Sequence, residues 1–180
     1  MKHVVLGLGS NKSWQESDSI HLLAKAVDAL KNLLSDVRCS SVYKTRPMYV
    51  QDQPPFLNMV LSGFADDSLS PHYFLNQIHR IEAMLGRNRA HEIRNGPRSI
   101  DIDIEFFGDC QICTSDLEIP HPRIAERAFV LVPLLEILSE SADSIDRASC
   151  ARSDCERMLD AIGTDGVEKV MDATQFVSLA

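Results

Sequence analysis

The spacing of apolar residues along the chain changes between two periods, and these changes predict where strands and helices lie. Apolar residues that alternate with polar or small ones are typical of a strand, whereas apolar residues three and four apart are typical of one helix face. Asp18 or Ser19 is the expected cap of the first helix, because short polar side chains accept hydrogen bonds from the first turn. The elements predicted in the first third of the chain are a strand at 3–9, a helix at 19–35, a strand at 37–43 and a strand at 56–65.

A second helix and a fourth strand follow. Ser70 is a good cap, Pro71 suits the first helical position, and the apolar stripe continues to Leu85, just before Gly86. The order strand, helix, strand, strand, helix, strand predicts an α+β fold. We expect a ferredoxin-like antiparallel sheet (βαββαβ core) with helices packed on one face, plus C-terminal additions.

The length of 180 residues and the hydrophobic content of 44% suit a single domain over 1–180, with a core over about 1–137 and a C-terminal extension over about 138–180. In the extension, Ser153 and Glu156 predict a capping box that opens a short helix ending near Ile162. A further strand is predicted over 167–170. The pattern indicates no function for the extension.

Composition narrows the classes of protein. The chain has no run of eighteen apolar residues and no signal peptide, so we expect a cytoplasmic protein without membrane contact. We also expect a monomer. The formal net charge of -8 disfavours nucleic-acid binding, which needs a broad basic face. Five cysteines, an odd number, are expected to be reduced. Cys110 and Cys113 have the spacing of half a zinc site, but no second Cys/His pair follows at ligand spacing, which disfavours zinc.

The strongest chemical signal is a cationic turn that leads directly into an acidic strand. Alternation predicts that Ser99, Asp101, Asp103 and Glu105 share one face of this strand, and that Ile100, Ile102, Ile104 and Phe106 share the other. Carboxylates two residues apart on one pleat lie about 6.5 Å apart and repel each other unless a cation lies between them. This spacing suits one or two Mg²⁺ ions, which prefer oxygen ligands and leave coordination positions for substrate phosphates.

Four of the twelve arginines lie within twelve residues just before or at the start of this strand: Arg87, Arg89, Arg94 and Arg98. Arginines beside a carboxylate pair indicate an anion together with its metal counter-ion, as in phosphoryl transfer. The alternative is a solvated strand face with Arg–Asp pairs of little consequence.

Three further segments could contribute to a site. Phe56 and Asn58 share the non-core face of the third strand, where a ring and an amide could hold a flat heterocycle; a half-exposed sheet face is an equally good interpretation. His121 stands between two prolines, which hold its backbone extended and present the imidazole. His79 and Glu82 lie one helical turn apart, off the apolar stripe.

Several separated segments together resemble one family, the 6-hydroxymethyl-7,8-dihydropterin pyrophosphokinases of folate biosynthesis. The segments are Gly9-Ser10-Asn11, Tyr43-Lys44-Thr45-x-Pro47, Gln51-Asp52-Gln53-Pro54-x-Phe56-Leu57-Asn58, Arg80-Ile81-Glu82, Gly86-Arg87-x-Arg89, Gly96-Pro97-Arg98-x-Ile100-Asp101-Ile102-Asp103-Ile104, Pro120-His121-Pro122 and Arg127-x-Phe129. They cover most of residues 3–137. Each segment is weak alone, but their shared order and spacing are specific.

The resemblance implies transfer of an intact diphosphate from ATP to the hydroxymethyl group of a reduced pterin, with release of AMP. It implies two Mg²⁺ ions on Asp101 and Asp103, and a catalytic set of Arg87, Arg98, Asp101 and Asp103. The implied pterin-binding residues are Thr45, Met48, Phe56, Asn58, Asp101 and Phe129. The implied ATP-binding residues are His79, Glu82, Arg87, Arg89, Arg94, Arg98, Ile104, His121 and Arg127.

The chain also departs from the family pattern. Asn95 stands where a tryptophan is frequent, the turn before Gly96 is one residue longer than in many members, and Asp116 and Glu118 replace a basic residue and a hydroxyl near the nucleotide. The loops over 44–55 and 87–97 are hypothesised to act as lids, because they are rich in proline, glycine and charge.

Two other classes of protein share parts of this pattern. A nucleotidyltransferase also uses Gly-Ser and an Asp-x-Asp strand, but there the two elements usually lie close in sequence, whereas here Ser10 and Asp101 are far apart. An RNA-binding module on the same topology would need sheet-face aromatics and a basic surface. Formation of AMP from MgATP and the hydroxymethyl pterin would separate all three classes.

Overall fold

The structure is a computed structural model that describes residues 1–48, 50–89, 91–139 and 152–180. Its strands are β1 (Lys2–Ser10), β2 (Ser35–Cys39), β3 (Val42–Thr45), β4 (Phe56–Ala65), β5 (Asp101–Phe107), β6 (Ile112–Cys113), β7 (Glu118–Ile119) and β8 (Val167–Met171). Its helices are α1 (Ser19–Leu30), α2 (Pro71–Met84), α3 (Ala128–Ser139), α4 (Arg152–Ile162) and α5 (Ala173–Val177), with a 3₁₀ turn at Ile124–Glu126. No helix in these ranges is long and apolar enough to cross a membrane.

One antiparallel sheet brings the predicted chemistry together. Its strand order is β5-β1-β4-β3-β8, and β2 also pairs with β4. In the centre, Gly9 of β1 is opposite Asn58 of β4 on one side and Asp101 of β5 on the other. Gly7 is likewise opposite Asp103. Cross-strand partners share a face, so the acidic residues and the amide lie at one level of the same face.

The two faces of the sheet carry separate hydrophobic clusters. On one face, α1 and α2 cover the strands, with Leu23 and Ile78 fully buried beside Leu6. On the other face, α3 and α4 pack over Val5 and Val60. The α+β class, the antiparallel sheet and the shared face of the two predicted helices are therefore confirmed, while α3 and α4 partly cover the opposite face.

Two predicted elements have different bounds. The first helix ends at Leu30, not at residue 35, because β2 already begins at Ser35. The strand predicted at 37–43 is two strands, since Ser40 interrupts it and bonds to β4 by its side chain as well: its backbone N–H donates to the Val60 carbonyl at 2.9 Å, and its Oγ accepts from the Val60 N–H at 3.0 Å.

β5, the fourth of the strands predicted for the core, carries an irregularity that alternation alone could not reveal. Val5 pairs with Phe106 and Leu6 with Ile104, so β5 has one extra residue, Glu105, at this point. Such a bulge reverses which side chains face the core. Phe106 therefore packs in the cluster beneath α3 rather than with Ile104, and the prediction that these two share a face is wrong.

The described part of the extension packs against the main sheet. β8 pairs with β3, and Phe176 of α5 is fully buried in the hydrophobic cluster beneath α1 and α2. The predicted strand is confirmed, but α4 begins at Arg152, which places Ser153 inside the helix and makes the predicted capping box wrong. Residues 140–151 of the extension, including Cys150, lie outside the described residues.

Gly86 ends α2 and sets the direction in which Arg87 leaves the helix. Its φ of +88° is left-handed; its N–H donates to the Ala83 carbonyl, and the Arg87 N–H donates to the Glu82 carbonyl, which together form a Schellman cap. A Cβ at Gly86 would lie 2.3 Å from the Trp14 ring.

We expect Gly86→Ala to lower the free energy of unfolding by about 3–5 kcal/mol, of which about 1–2 is backbone strain and the rest overpacking against Trp14. Urea unfolding measures the loss. Gly166 provides a matched control, because its φ is +78° but nothing lies within 4 Å of an added Cβ. Gly166→Ala should therefore cost only the strain, and equal losses for the two variants would contradict the Trp14 contact as the cause.

Candidate active site

A pocket of about 750 Å³, a volume that includes solvent at its mouth, opens on the sheet face opposite α1 and α2. Gly7 and Gly9 of β1 contribute to its floor. A Cβ at Gly9 would lie 2.6 Å from Asn58 Oδ1, and one at Gly7 would lie 2.9 Å from Glu105 Oε1. The pocket exists at this depth because neither floor position carries a side chain.

Every residue predicted to bind the pterin lines this pocket: Thr45, Met48, Phe56, Asn58, Asp101 and Phe129. Asn58 is held in place because its Nδ2 donates to Thr45 Oγ1 at 2.6 Å. A guanidinium lies over each aromatic ring, that of Arg98 at 5.5 Å from the Phe56 centroid and that of Arg127 at 5.6 Å from Phe129. Two aromatic rings and one amide thus line the same pocket.

Asp101 marks the acidic side of the pocket. It forms ion pairs with Arg87 and with Arg98, the latter at 2.5 Å between Oδ2 and Nη1. Burial alone would raise the pKa of Asp101, but the charges of Arg87 and Arg98 outweigh it and hold that pKa below its usual value. Asp101 is therefore ionised at neutral pH.

Glu82, on α2, contacts both the loop that carries Arg87 and Arg89 and the backbone of β5 next to Asp101. Its carboxylate is 1% exposed and accepts hydrogen bonds from Arg87 at 2.5 Å, Arg89 at 2.6 Å and the Ile102 N–H at 2.9 Å. Burial raises the pKa of Glu82, although Arg87 and Arg89 act against this rise. Glu82 thus orients two arginines, and it does not line the pocket.

The second predicted metal ligand, Asp103, is paired with Arg127. Arg127 Nη1 lies 2.8 Å from Asp103 Oδ2 and 3.3 Å from Glu105 Oε1. Glu105 is fully buried, and burial together with the nearby charge of Asp103 raises its pKa to about 8. Arg98, Asp103 and Arg127 all line the pocket.

His79 and His121, the two histidines predicted to bind the nucleotide, lie near these charged residues. Burial, Arg89 and Arg87 lower the pKa of His79; burial and Arg127 lower that of His121. The backbone N–H of Arg123 donates to His121 Nδ1 at 3.1 Å, so the neutral ring carries its proton on Nε2. Both histidines are neutral at pH 7, and His121 offers an N–H donor.

Asp101 and Asp103 fit a Mg²⁺ site by their chemistry. Both carboxylates face the pocket, with side-chain exposures of 21% and 34%. In the described ranges no three His, Cys, Asp or Glu side chains are grouped as a metal site. Mg²⁺ often takes only one or two protein carboxylates and completes its shell with water and substrate phosphates, so a pair of aspartates is an adequate protein contribution.

Not all predicted residues come to the pocket. The Ile104 side chain is 4% exposed and packs in the cluster beneath α1 and α2, so only its backbone is available from this face. Arg94 is exposed, and the half-exposed Arg89 pairs with Glu82. Conversely, the pocket is also lined by Arg46 and Arg123, two arginines that were not predicted to belong to the site. Their positions next to Thr45 and between His121 and Arg127 were the available signal.

The two loops hypothesised to act as lids meet beside the pocket. Asn11 Nδ2 donates to Gln53 Oε1 at 3.0 Å, and Asn11 Oδ1 accepts from the Arg98 N–H at 2.9 Å. Gln53 Nε2 donates to the Asn95 carbonyl at 2.9 Å. Asn95 has a φ of +60°, a left-handed conformation that asparagine adopts far more readily than bulky residues do, which gives a physical reason for this departure from the family pattern.

Comparison with known proteins points to one family. A family model described as 7,8-dihydro-6-hydroxymethylpterin-pyrophosphokinase (HPPK) matches residues 5–139. The chain is 39% identical over 137 residues to the 2-amino-4-hydroxy-6-hydroxymethyldihydropteridine pyrophosphokinase of Aquifex aeolicus, covering 76% of this chain and 81% of that protein. It is 40% identical over 137 residues to the Bacillus subtilis protein of the same name, covering 75% and 77%.

Some relatives are much longer. The mitochondrial folate synthesis bifunctional protein of Pisum sativum is 41% identical over 149 residues, which cover 82% of this chain but 27% of that protein. The chain thus spans about a quarter of the length of such bifunctional relatives. Among solved structures, wild-type Plasmodium falciparum HPPK-DHPS shares the fold with a TM-score of 0.61 at 16% identity, over 94% of this chain and 47% of that chain.

Proposed function

The chain belongs to the 7,8-dihydro-6-hydroxymethylpterin-pyrophosphokinase family, and on this premise we propose that it transfers diphosphate from ATP to 6-hydroxymethyl-7,8-dihydropterin in folate biosynthesis. The products are AMP and the pterin diphosphate ester. One observation carries the proposal: Phe56, Phe129 and Asn58 line the same pocket as Asp101 and Asp103. A flat heterocycle and a metal-bound triphosphate can therefore meet in one space.

The pterin lies between Phe56 and Phe129 in this proposal, because aromatic faces favour stacking with a flat ring. The hydrogen bond from Asn58 Nδ2 to Thr45 Oγ1 supports recognition of the pterin by this amide. It leaves Asn58 Oδ1, above Gly9, to accept hydrogen bonds from the N–H groups of the pterin. Met48, which is 46% exposed at the pocket lip, contributes through its backbone.

The nucleotide lies on the acidic and arginine-rich side. Asp101 and Asp103 would hold two Mg²⁺ ions, which when bound supply positive charge that neutralises the triphosphate. Arg87 and Arg98 would leave Asp101 to contact phosphate oxygens, since a guanidinium suits phosphate as well as carboxylate. The remaining proposed contacts come from His79, Glu82, Arg89, Arg94, Ile104, His121 and Arg127.

In the reaction, the hydroxymethyl oxygen of the pterin attacks the β-phosphorus of ATP and loses its proton. The bond between this phosphorus and the oxygen that bridges to the α-phosphorus breaks, and AMP leaves with that oxygen. Arg98 neutralises the charge that develops on the transferring group, while the loops joined by Gln53 and Asn95 exclude water.

The test is the identity of the nucleotide product. Incubation with MgATP and the hydroxymethyl dihydropterin should give AMP and the diphosphate ester in equal amounts. Chromatography of the reaction mixture measures both products. ADP would indicate an ordinary kinase, and pyrophosphate would indicate the nucleotidyltransferase alternative. An absence of any pterin-dependent nucleotide product would overturn the proposal.

We also propose that residues 1–180 form one domain with a ferredoxin-like core over about 1–137 and an extension over about 138–180. The strand order of the sheet and the pairing of β8 with β3 support this proposal. The expected cytoplasmic location and monomeric state stay predictions, since relatives include proteins named as mitochondrial and as bifunctional.

We expect Phe56→Ala to weaken pterin binding by about 1–3 kcal/mol, the usual contribution of a stacked aromatic platform. ATP affinity should change little, because Phe56 lies on the ring side of the pocket. Calorimetry of each ligand separately measures both effects. Phe64 on the same strand does not line the pocket, so Phe64→Ala is the matched control. Equal losses for pterin and ATP in Phe56→Ala would mean that Phe56 is structural.

A further inference from the structure

Glu105 is a third carboxyl group in the pocket wall, and the proposed reaction gives it no role. It follows Asp103 by two residues and is the extra residue of the β5 bulge. It lines the pocket, yet its side chain is fully buried. A buried carboxyl group is costly unless its oxygens have partners.

One oxygen of Glu105 has a partner and the other has none. Oε1 lies 3.3 Å from Arg127 Nη1, whereas Oε2 has no hydrogen-bond partner among the described residues. The side chain fits only because Gly7 beneath it lacks a Cβ, which would lie 2.9 Å from Oε1. An apolar side chain of similar size would fill this place without leaving a polar atom unsatisfied.

Arg127, which pairs with the Glu105 side chain, also contacts a predicted metal ligand and a ring of the pocket. The Nη1 atom of Arg127 also lies 2.8 Å from Asp103 Oδ2, and its guanidinium stands over the ring of Phe129. The carbonyl of Glu105 accepts the backbone N–H of His121 at 3.0 Å. Glu105 therefore contacts two proposed nucleotide-binding residues, one by its side chain and one by its backbone.

We propose that Glu105 is a positioning residue that holds Arg127 in place for the nucleotide, an inference that rests on the proposed function. If Asp103 binds a cation that arrives with the substrate, Arg127 loses its nearer acceptor. Glu105 Oε1 then remains as an acceptor beside the same nitrogen. The Arg127 guanidinium then stays between the Phe129 ring and the phosphates of the bound nucleotide.

The test compares substitutions with and without an acceptor oxygen. Glu105→Leu removes the acceptor and should weaken binding of MgATP by about tenfold, the loss expected for one well-placed charged hydrogen bond, with kcat changed by less than about threefold. Glu105→Gln keeps an oxygen and should bind within about twofold of wild type. Glu105→Met, which also lacks the acceptor but has a different shape, should behave like Glu105→Leu. Calorimetry with a non-hydrolysable ATP analogue gives the affinities without turnover.

A purely structural role would change stability without changing nucleotide affinity. Glu105→Leu removes a buried oxygen without a partner among the described residues but also one acceptor of Arg127, so its unfolding midpoint can shift in either role, and the fall in nucleotide affinity is the result that only the positioning role predicts. If both apolar variants bind MgATP as wild type does, the positioning role is overturned, whatever their stability.

A second measurement separates this inference from the proposed reaction. The Nε–H of Arg127 is buried without a partner among the residues described, so its ¹⁵N resonance should be sharp and slow to exchange in wild type and in Glu105→Gln. Without nucleotide Asp103 still holds Arg127 at 2.8 Å, so the comparison is made in an Asp103→Ala background, where adding Glu105→Leu should broaden this resonance or make it exchange faster and adding Glu105→Gln should not. An unchanged resonance would overturn the contact. Failure of the wild type to bind MgATP would instead overturn the proposed function, and the resonances would still decide whether Glu105 holds Arg127.

Discussion

Asp101→Asn and Asp103→Asn are each expected to reduce diphosphate transfer by about a thousandfold or more at physiological Mg²⁺. The amide keeps the shape of the carboxylate but loses the charge that holds a divalent cation. Asp101→Asn has a second consequence, because Arg87 and Arg98 both pair with this carboxylate. The rate of AMP formation over a series of Mg²⁺ concentrations measures both effects.

Asp109 provides the matched control, since it is exposed beyond the end of the same strand and does not line the pocket. Asp109→Asn should keep wild-type turnover. Near-wild-type turnover in both Asp101→Asn and Asp103→Asn would show that the metal assignment is wrong. It would not by itself exclude pterin binding, which calorimetry would test separately.

Arg98→Ala should lower kcat by about a hundredfold to a thousandfold, which is the usual effect of removing a group that stabilises charge in the transition state. Its effect on the dissociation constant of MgATP should be smaller, because the contact strengthens as charge develops. The position of Arg98 explains this expectation: its guanidinium pairs with Asp101 on one side and lies over the Phe56 ring on the other. It therefore stands where the two proposed substrates meet.

Single-turnover kinetics and calorimetry together divide the effect of Arg98→Ala between chemistry and binding. Arg80→Ala is a suitable control, because Arg80 is an exposed arginine of α2 that does not line the pocket. A change confined to the dissociation constant of MgATP, with kcat intact, would contradict the catalytic role of Arg98.

The parts of the fold that follow a simple period could be predicted from the sequence. The caps at Asp18 and Ser70 are confirmed, because capping depends on neighbouring residues alone. The apolar run that forms α3 received no assignment, since a helix buried between a sheet and α4 is apolar on most sides and shows little periodicity. The β5 bulge was missed for a related reason: the register of two strands is set by both of them together.

The candidate site shows the same division between local and long-range information. Alternation alone placed Asp101 and Asp103 on one face, and the structure shows both at the pocket. The partners of these residues were not predictable in this way. The pairing of Arg127 with Asp103 joins residues that are distant in sequence, and the burial of Glu82 depends on how α2 packs against β5.

Because Gly9 separates Asp101 from Asn58 across three hydrogen-bonded strands, the distance between the acidic and amide sides of the pocket is set by the backbone. Adjacent strands lie about 4.8 Å apart, so these two residues stand on strands about 10 Å apart. The spacing of the strands thus fixes the distance between the proposed phosphate-binding and heterocycle-binding sides of the pocket. Loop sequences can vary, and with them the rates of substrate entry and product departure, without altering the distance over which the reacting groups must meet.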